Sequence, residues 1–197
     1  MELDSLFKPE TLKAALAELI GTFFLTLAAL ISGNNAAIAV ALVLTACVYA
    51  IGDVSGSHVN PAVTLGLLVD RHIPAIKGGL YIIAQIVGAL LASLVGGIAG
   101  KLAPSYQSAD AILEFFGFGI LMITVVAVYE KNVPKAGSGI AIGAALAAGL
   151  LTTGGILNPA VAIAMKQTNS PGTWAPLLSA ILFATIFKFF FLAKPKE

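Results

Sequence analysis

Ser55-Gly56-Ser57-His58-Val59-Asn60-Pro61-Ala62-Val63-Thr64 is the stretch on which the fold turns. Its Asn-Pro-Ala triplet returns at Asn158-Pro159-Ala160, 98 positions later (158 − 60) in a chain of 197. One triplet is only a helix start, in which Asn accepts from orphan backbone N–H groups and Pro is pre-set for the first turn. Two copies half a chain apart read as an internal duplication. Each opens an apolar run, Pro61 to Val69 and Pro159 to Met165, of nine and seven residues. At 1.5 Å per residue these reach about halfway across a bilayer, where a full crossing takes about 20 residues. Both are expected to be re-entrant half-helices. The approaches, Gly52 to Val59 and Thr152 to Leu157, carry the Gly and hydroxyl residues that a tightly turned loop requires.

Hydrophobic residues make up 58% of the chain and charged residues 11%, with a mean hydropathy of +0.97. That composition is an integral membrane protein's. Six longer apolar segments, roughly 12–32, 36–52, 78–100, 109–129, 137–155 and 174–192, are candidate spans. Each half thus reads span, span, half-helix, span. Glu18 precedes Asn60 by 42 residues (60 − 18) and Glu114 precedes Asn158 by 44 (158 − 114), so the duplication extends beyond the triplets. The expected fold is an all-α membrane protein, six transmembrane helices plus two half-helices, in one transmembrane domain over 1–197. Its repeats cover approximately 12–100 and 109–192. Three full spans per repeat is an odd number, so the second repeat enters from the opposite side, and such inverted repeats place a site near the midplane.

Of the 11 Lys and Arg residues, only Lys101 and Lys166 fall outside if both termini are cytoplasmic. The positive-inside rule therefore predicts that orientation, and the membrane expected is the cell (plasma) membrane. The first eleven residues lack the basic start and cleavage site of a secretory signal, so the first span is expected to be retained. Stripes of small residues, Ala84-Gly88-Ala92-Gly96-Gly100 and Gly137-Ala141-Ala145-Gly149, predict close helix packing. Asp53, Asp70, Arg71 and His72 read as a solvated inner loop, with pH sensing by His72 or His58 as the alternative. Lys188 is expected to snorkel to the inner interface and Trp174 to anchor the outer one, while Asn34-Asn35 and Pro104 mark outer connections. The net charge of +1 offers no basic stripe for nucleic acid, and one cysteine, Cys47, excludes an internal disulfide. No nucleophile–base constellation, phosphate loop or metal-ligand spacing appears in the chain. Neither an enzyme nor a cofactor or metal requirement is expected.

Half-helices entering from opposite faces bring two N-termini together at the midplane. Each carries roughly half a positive charge, which repels cations and leaves neutral molecules less affected. Amide N–H groups of Asn60 and Asn158 not used in capping are then candidate donors to a passing water. A water held by both turns its own hydrogens outward, interrupting a proton-conducting chain.

The paired triplets, the 55–64 stretch, Ala17-Glu18-Leu19-Ile20-Gly21-Thr22-Phe23 and Gln85-Ile86-Val87-Gly88-Ala89 together resemble the aquaporin and glycerol-facilitator family, also called major intrinsic proteins. The resemblance covers nearly the whole chain and implies an hourglass fold assembled as a homotetramer, with one pore per protomer. It implies that Asn60 and Asn158 are the central donors and that Glu18 and Glu114 hold the two loops. For His58 it leaves pore lining and loop bracing open. It places the outer filter at Val40, Leu146, Gly155 and Val161, where most members keep an Arg at the last position; some plant tonoplast channels of the family carry Val. An apolar filter lacks that fixed charge and its donors. It is compatible with a water pore, a broader pore for glycerol, urea, ammonia or hydrogen peroxide widened at Gly155, an ion-leaky pore, or a dewetted, closed structural protein. Water passage ranks first. The expected partners are water, small neutral solutes and the lipid bilayer.

Overall fold

The computed structural model describes residues 8–100 and 110–190; Lys101, Pro104, Lys194 and Lys196 lie outside the described residues. Eight α-helices follow one another: α1 Pro9–Ile31, α2 Ala36–Ser55, α3 Pro61–Val69, α4 Ala75–Ile98, α5 Ala111–Tyr129, α6 Lys135–Thr153, α7 Pro159–Ala164 and α8 Pro171–Phe190. Asn34 and Asn35 lie in a short 3-10 turn before α2. Among the described residues, six helices are long and apolar enough to cross a membrane. The exceptions, α3 and α7, are the half-helices opened by the two triplets. The second ends at Ala164, one residue short of the expected run, because Met165 and Lys166 form its closing turn.

The order long, long, short, long occurs twice, and helix packing follows it. Helix α1 packs on α2 and α4, and α5 packs on α6 and α8. The half-helices cross over, α3 lying against α8 and α7 against α4. Each short helix is thereby held by both halves, which keeps non-helical backbone at membrane depth enclosed in protein. The second half enters with the opposite direction because three crossings separate the two starts.

Small residues decide how closely the long helices approach. A Cβ on Gly88 would collide with the Leu19 carbonyl of α1, and one on Gly143 with Thr45 of α2. The stripe on α4 is buried from Ala84 to Gly96, as its spacing predicted, but Gly100 is exposed. Helix α6 meets α2 through Gly139 and Gly143, which the predicted stripe does not contain.

Outward faces carry large apolar residues such as Leu42, Ile83 and Ile112, all more than half exposed, where a bilayer supplies the apolar surroundings. Glu18, Gln85, Glu114 and Ser179 are buried in the interior. Three helix ends, at α3, α5 and α7, close with a left-handed Arg71, Lys131 or Lys166. In each the next N–H reaches back five residues, as from His72 to Leu67 O at 2.8 Å, which satisfies an orphan carbonyl.

The segment around Asp70 differs from the solvated inner loop expected from sequence. Asp53 is exposed and pairs with Lys135 at 2.8 Å, but the Asp70 side chain is only 1% exposed. Lys188 does not simply snorkel: its Nζ lies 2.7 Å from Asp70 Oδ1 and ties α8 to the end of α3. A buried carboxylate needs such partners, and only the folded chain brings Lys188 to it. Trp174 is exposed at the start of α8 and donates to Thr168 O at 3.0 Å.

Candidate functional site: a lumen between two crossed loops

The two loops are built on one backbone plan. Asn60 caps α3, its Oδ1 accepting from Ala62 N at 2.9 Å, and Asn158 caps α7 by accepting from Ala160 N at 3.0 Å. Pro61 and Pro159 fill the first helical positions, and Pro61, Ala62, Pro159 and Ala160 are all buried behind the lumen. Each asparagine then reaches into the other loop. Asn60 Nδ2 donates to Leu157 O at 2.8 Å, and Asn158 Nδ2 donates to Val59 O at 2.9 Å. The half-helix starts are therefore stapled together. One amide hydrogen of each Asn is consumed, leaving one apiece for a water, not the whole amide.

Val59 and Leu157, the residues before each Asn, have φ of 42° and 56°. A left-handed Val or Leu is strained by about 1 kcal/mol or more and persists only where its surroundings impose it. Two buried carboxylates do so. Glu18 accepts from His58 N at 2.9 Å and Val59 N at 2.6 Å, and Glu114 accepts from Ile156 N at 2.7 Å and Leu157 N at 2.8 Å. Counted from each Asn, these are the same two N–H groups. Gly21 and Gly117, each three residues after its Glu, make room: a Cβ would lie 2.5 Å from Val59 Cγ1 and 3.2 Å from Leu157 Cδ2, respectively. The repeated Glu-x-x-Gly, at Glu18–Gly21 and Glu114–Gly117, is the sequence signal of this arrangement.

Around this common plan the side chains differ. Glu18 also accepts from Ser55 Oγ at 2.6 Å and Gln85 Nε2 at 2.8 Å. Thr64 Oγ1 donates to Asn60 O at 3.1 Å and accepts from Gln85 Nε2 at 2.9 Å. His58 Nδ1, 3.1 Å from that hydroxyl, is then the donor of the pair, which leaves Nε2 to accept from Tyr129 O–H at 2.9 Å. His58 thus both lines the lumen and braces the loop. Ser55, Thr64, Gln85 and Tyr129 had no assigned role in the sequence; nothing along the chain relates Tyr129 to His58, 71 residues away.

One narrow cavity joins these parts. Ala36, at the start of α2, and Gly56, just past its end, both line it, so it runs along the length of that helix. The cavity volume is ≈ 40 Å³. At about 10–15 Å³ for each water, that is room for about three. Asn60, Asn158 and His58 line it, and so do all four expected filter residues, Val40, Leu146, Gly155 and Val161. Gly155 does not widen the lumen, contrary to one expectation. A Cβ there would sit 2.6 Å from Glu114 Oε1, so the missing side chain makes room for the carboxylate, and the residue meets the lumen through its backbone.

The family model for major intrinsic proteins matches residues 5–189. Aquaporin TIP1-1 of Arabidopsis thaliana is 33% identical, covering 98% of this chain and 93% of that protein. Aquaporin AqpM of Methanothermobacter marburgensis is 35% identical over 72% of this chain and 61% of its own length. The aquaglyceroporin structure from Plasmodium falciparum has the same fold, with a TM-score of 0.74 at 17% identity, covering 91% of this chain and 96% of that one. With the stapled half-helices and the cavity between them, these similarities make the chain a member of the major intrinsic protein family, a passive multi-pass membrane channel and not an enzyme.

Proposed function

We propose that this channel is foremost a water pore, with a central barrier at Asn60 and Asn158 and an apolar outer filter at Val40, Leu146, Gly155 and Val161. The observation that carries the reading is the single narrow cavity on which both asparagines and all four filter residues converge. Its small free volume favours water over bulkier solutes. One free N–H on each Asn gives a passing water two donors at the midplane, while two helix N-termini raise the potential against cations. Glu18, Glu114 and His58 support the loops that hold those donors in place. The apolar filter adds no fixed charge, so exclusion of ions and protons rests on the central region.

The pattern of elements supports repeats of approximately 12–100 and 109–192 in one domain. Arg71, Lys77, Lys131 and Lys135 cluster at helix ends on one side of the bundle, which supports a cytoplasmic location for both termini in the plasma membrane. Broad apolar faces outside the bundle, together with family membership, support a homotetramer with one lumen per protomer.

A stopped-flow liposome panel with water, glycerol, urea and ammonia tests the proposal, using the native chain and Val161→Arg. Water flux well above the lipid background is expected. Any solute passage should narrow toward water in the variant, because Arg adds charge and donors at the filter. Empty-liposome rates for every permeant would overturn the channel proposal, and an unchanged panel in Val161→Arg would move the filter elsewhere.

A further inference from the structure

Outside the lumen, the inner ends of α3 and α5 bring Asp70, His72 and Glu130 together. Asp70 follows α3, left-handed Arg71 reverses the chain, and His72 is thereby turned back toward Asp70 and the last residue of the α5 end, Glu130. His72 Nε2 lies 2.9 Å from Asp70 Oδ2 and 3.2 Å from Glu130 Oε1, and one ligand atom from each residue falls within 4.8 Å of the others. Linear spacing hides the set, because Glu130 stands 58 residues beyond His72 (130 − 72).

Convergence of charged groups alone would be an ion-pair network. A separate observation points to a ligand. Asp70 Oδ2 and His72 Nε2 are both buried and 2.9 Å apart, yet their contact lacks hydrogen-bond geometry, so they are paired by charge alone and their lone pairs stay open to an ion between them. The Asp70 carboxylate is 1% exposed and its other oxygen is held by Lys188 at 2.7 Å, so Oδ2 is the oxygen left for a ligand. A buried carboxylate oxygen and a buried imidazole nitrogen without hydrogen-bond geometry lack what such atoms normally obtain.

We propose that Asp70, His72 and Glu130 form a binding site for a divalent transition-metal ion of the zinc class. An imidazole and two carboxylates are the donor set that suits zinc and its neighbours, whereas calcium and magnesium prefer oxygen alone. Tetrahedral ligands at about 2.0–2.2 Å from a metal stand about 3.3–3.6 Å apart, so the His72 separations of 2.9 and 3.2 Å must open slightly, while Asp70 and Glu130, within 4.8 Å of each other, close on the ion. His72 and Glu130 side chains are 21% and 25% exposed, which gives an ion a path in and leaves room for a water as fourth ligand. Lys188 fixes Asp70 and offsets one of the two negative charges, setting a moderate affinity.

Zinc binding to the tag-free full chain, by equilibrium dialysis, and the visible absorption of bound cobalt test the site. One ion per chain is expected, with a cobalt band of four-coordinate intensity. His72→Ala and Glu130→Gln should each weaken zinc binding by about tenfold or more and abolish the cobalt band. Cys47→Ser should change neither. Glu130→Gln alters a half-buried group, and unchanged water flux in that variant would confirm that the channel is folded. No zinc bound at about 1 mM, the weak end of specific affinities, would overturn the proposal. So would binding that both His72→Ala and Glu130→Gln leave intact, and the cluster would then be an ion-pair tether only.

Discussion

The loop before Asn60 and the loop before Asn158 have one backbone and two chemistries. Counted from each Asn, the same two N–H groups bind a carboxylate and the same residue is left-handed. The same carbonyl accepts from the opposite loop. Ser55 and Thr153, also equivalent, each accept from the N–H two residues on, at 2.9 and 3.0 Å. Yet His58 stands where the second loop has Ile156, and Thr64 where it has Ala162. Backbone satisfaction at membrane depth is obligatory in both loops and is met the same way in both. What faces the lumen is under no such constraint, and there the halves diverge into a polar first loop and an apolar second one.

The largest effects should come from the carboxylates. Glu18→Ala and Glu114→Ala each leave two buried N–H groups unpaired, at about 1–3 kcal/mol per group. Both variants should lose most folded protein in detergent, seen as a collapsed gel-filtration peak. A well-folded Glu114→Ala beside an unfolded Glu18→Ala would show that the backbone plans are not energetically equivalent.

Next come the asparagines. Asn60→Ala and Asn158→Ala each remove a cap and a cross-loop hydrogen bond, together worth about 2–3 kcal/mol. Their thermal midpoints should fall by similar amounts, because the paired distances match within 0.1 Å. Midpoints that differ widely would break the equivalence at its centre.

Ser55→Ala and Thr153→Val probe where the halves begin to part. Ser55 also donates to Glu18 at 2.6 Å, whereas Thr153 donates to Gly149 O at 2.8 Å within its own helix. Hydrogen bonds to a carboxylate are the stronger, so Ser55→Ala should cost about 1.5–3 kcal/mol and Thr153→Val about 1. Thermal melts of the two variants measure the difference, and a reversed order would remove the carboxylate's special place in the first loop.

The smallest effect is on transport. His58→Ile makes the first loop resemble the second, removing a polar group from the lumen wall. Losing about 1 kcal/mol of compensation for a dehydrated water should slow osmotic flux about fivefold, read by stopped flow. A variant as fast as the native channel would mean that the polarity of His58 serves the loop and not the water.

Legibility in the sequence followed the same division. Two Asn-Pro-Ala triplets, two short apolar runs and two glutamates at nearly equal offsets sufficed for the half-helices, the six spans and the loop carboxylates. Each of these depends on local chemistry or on a repeat. Spacing could not reveal that Gly155 yields its space to Glu114, since that requires knowing where the carboxylate lands. Tyr129 against His58, Lys188 against Asp70 and Glu130 against His72 were equally hidden, because each joins residues that no local rule relates.

Sequence by itself determined the membrane class, the two short helices opened by Asn-Pro-Ala and the glutamates that hold the loops before them. Those follow from hydropathy, helix capping and the demand that buried backbone be paired. Tertiary structure alone decided that each Asn spends a hydrogen on the opposite loop, that Gly155 gives its space to Glu114, and that Asp70, His72 and Glu130 converge. Those outcomes depend on which surfaces the crossed half-helices bring together, and packing, not propensity, sets that.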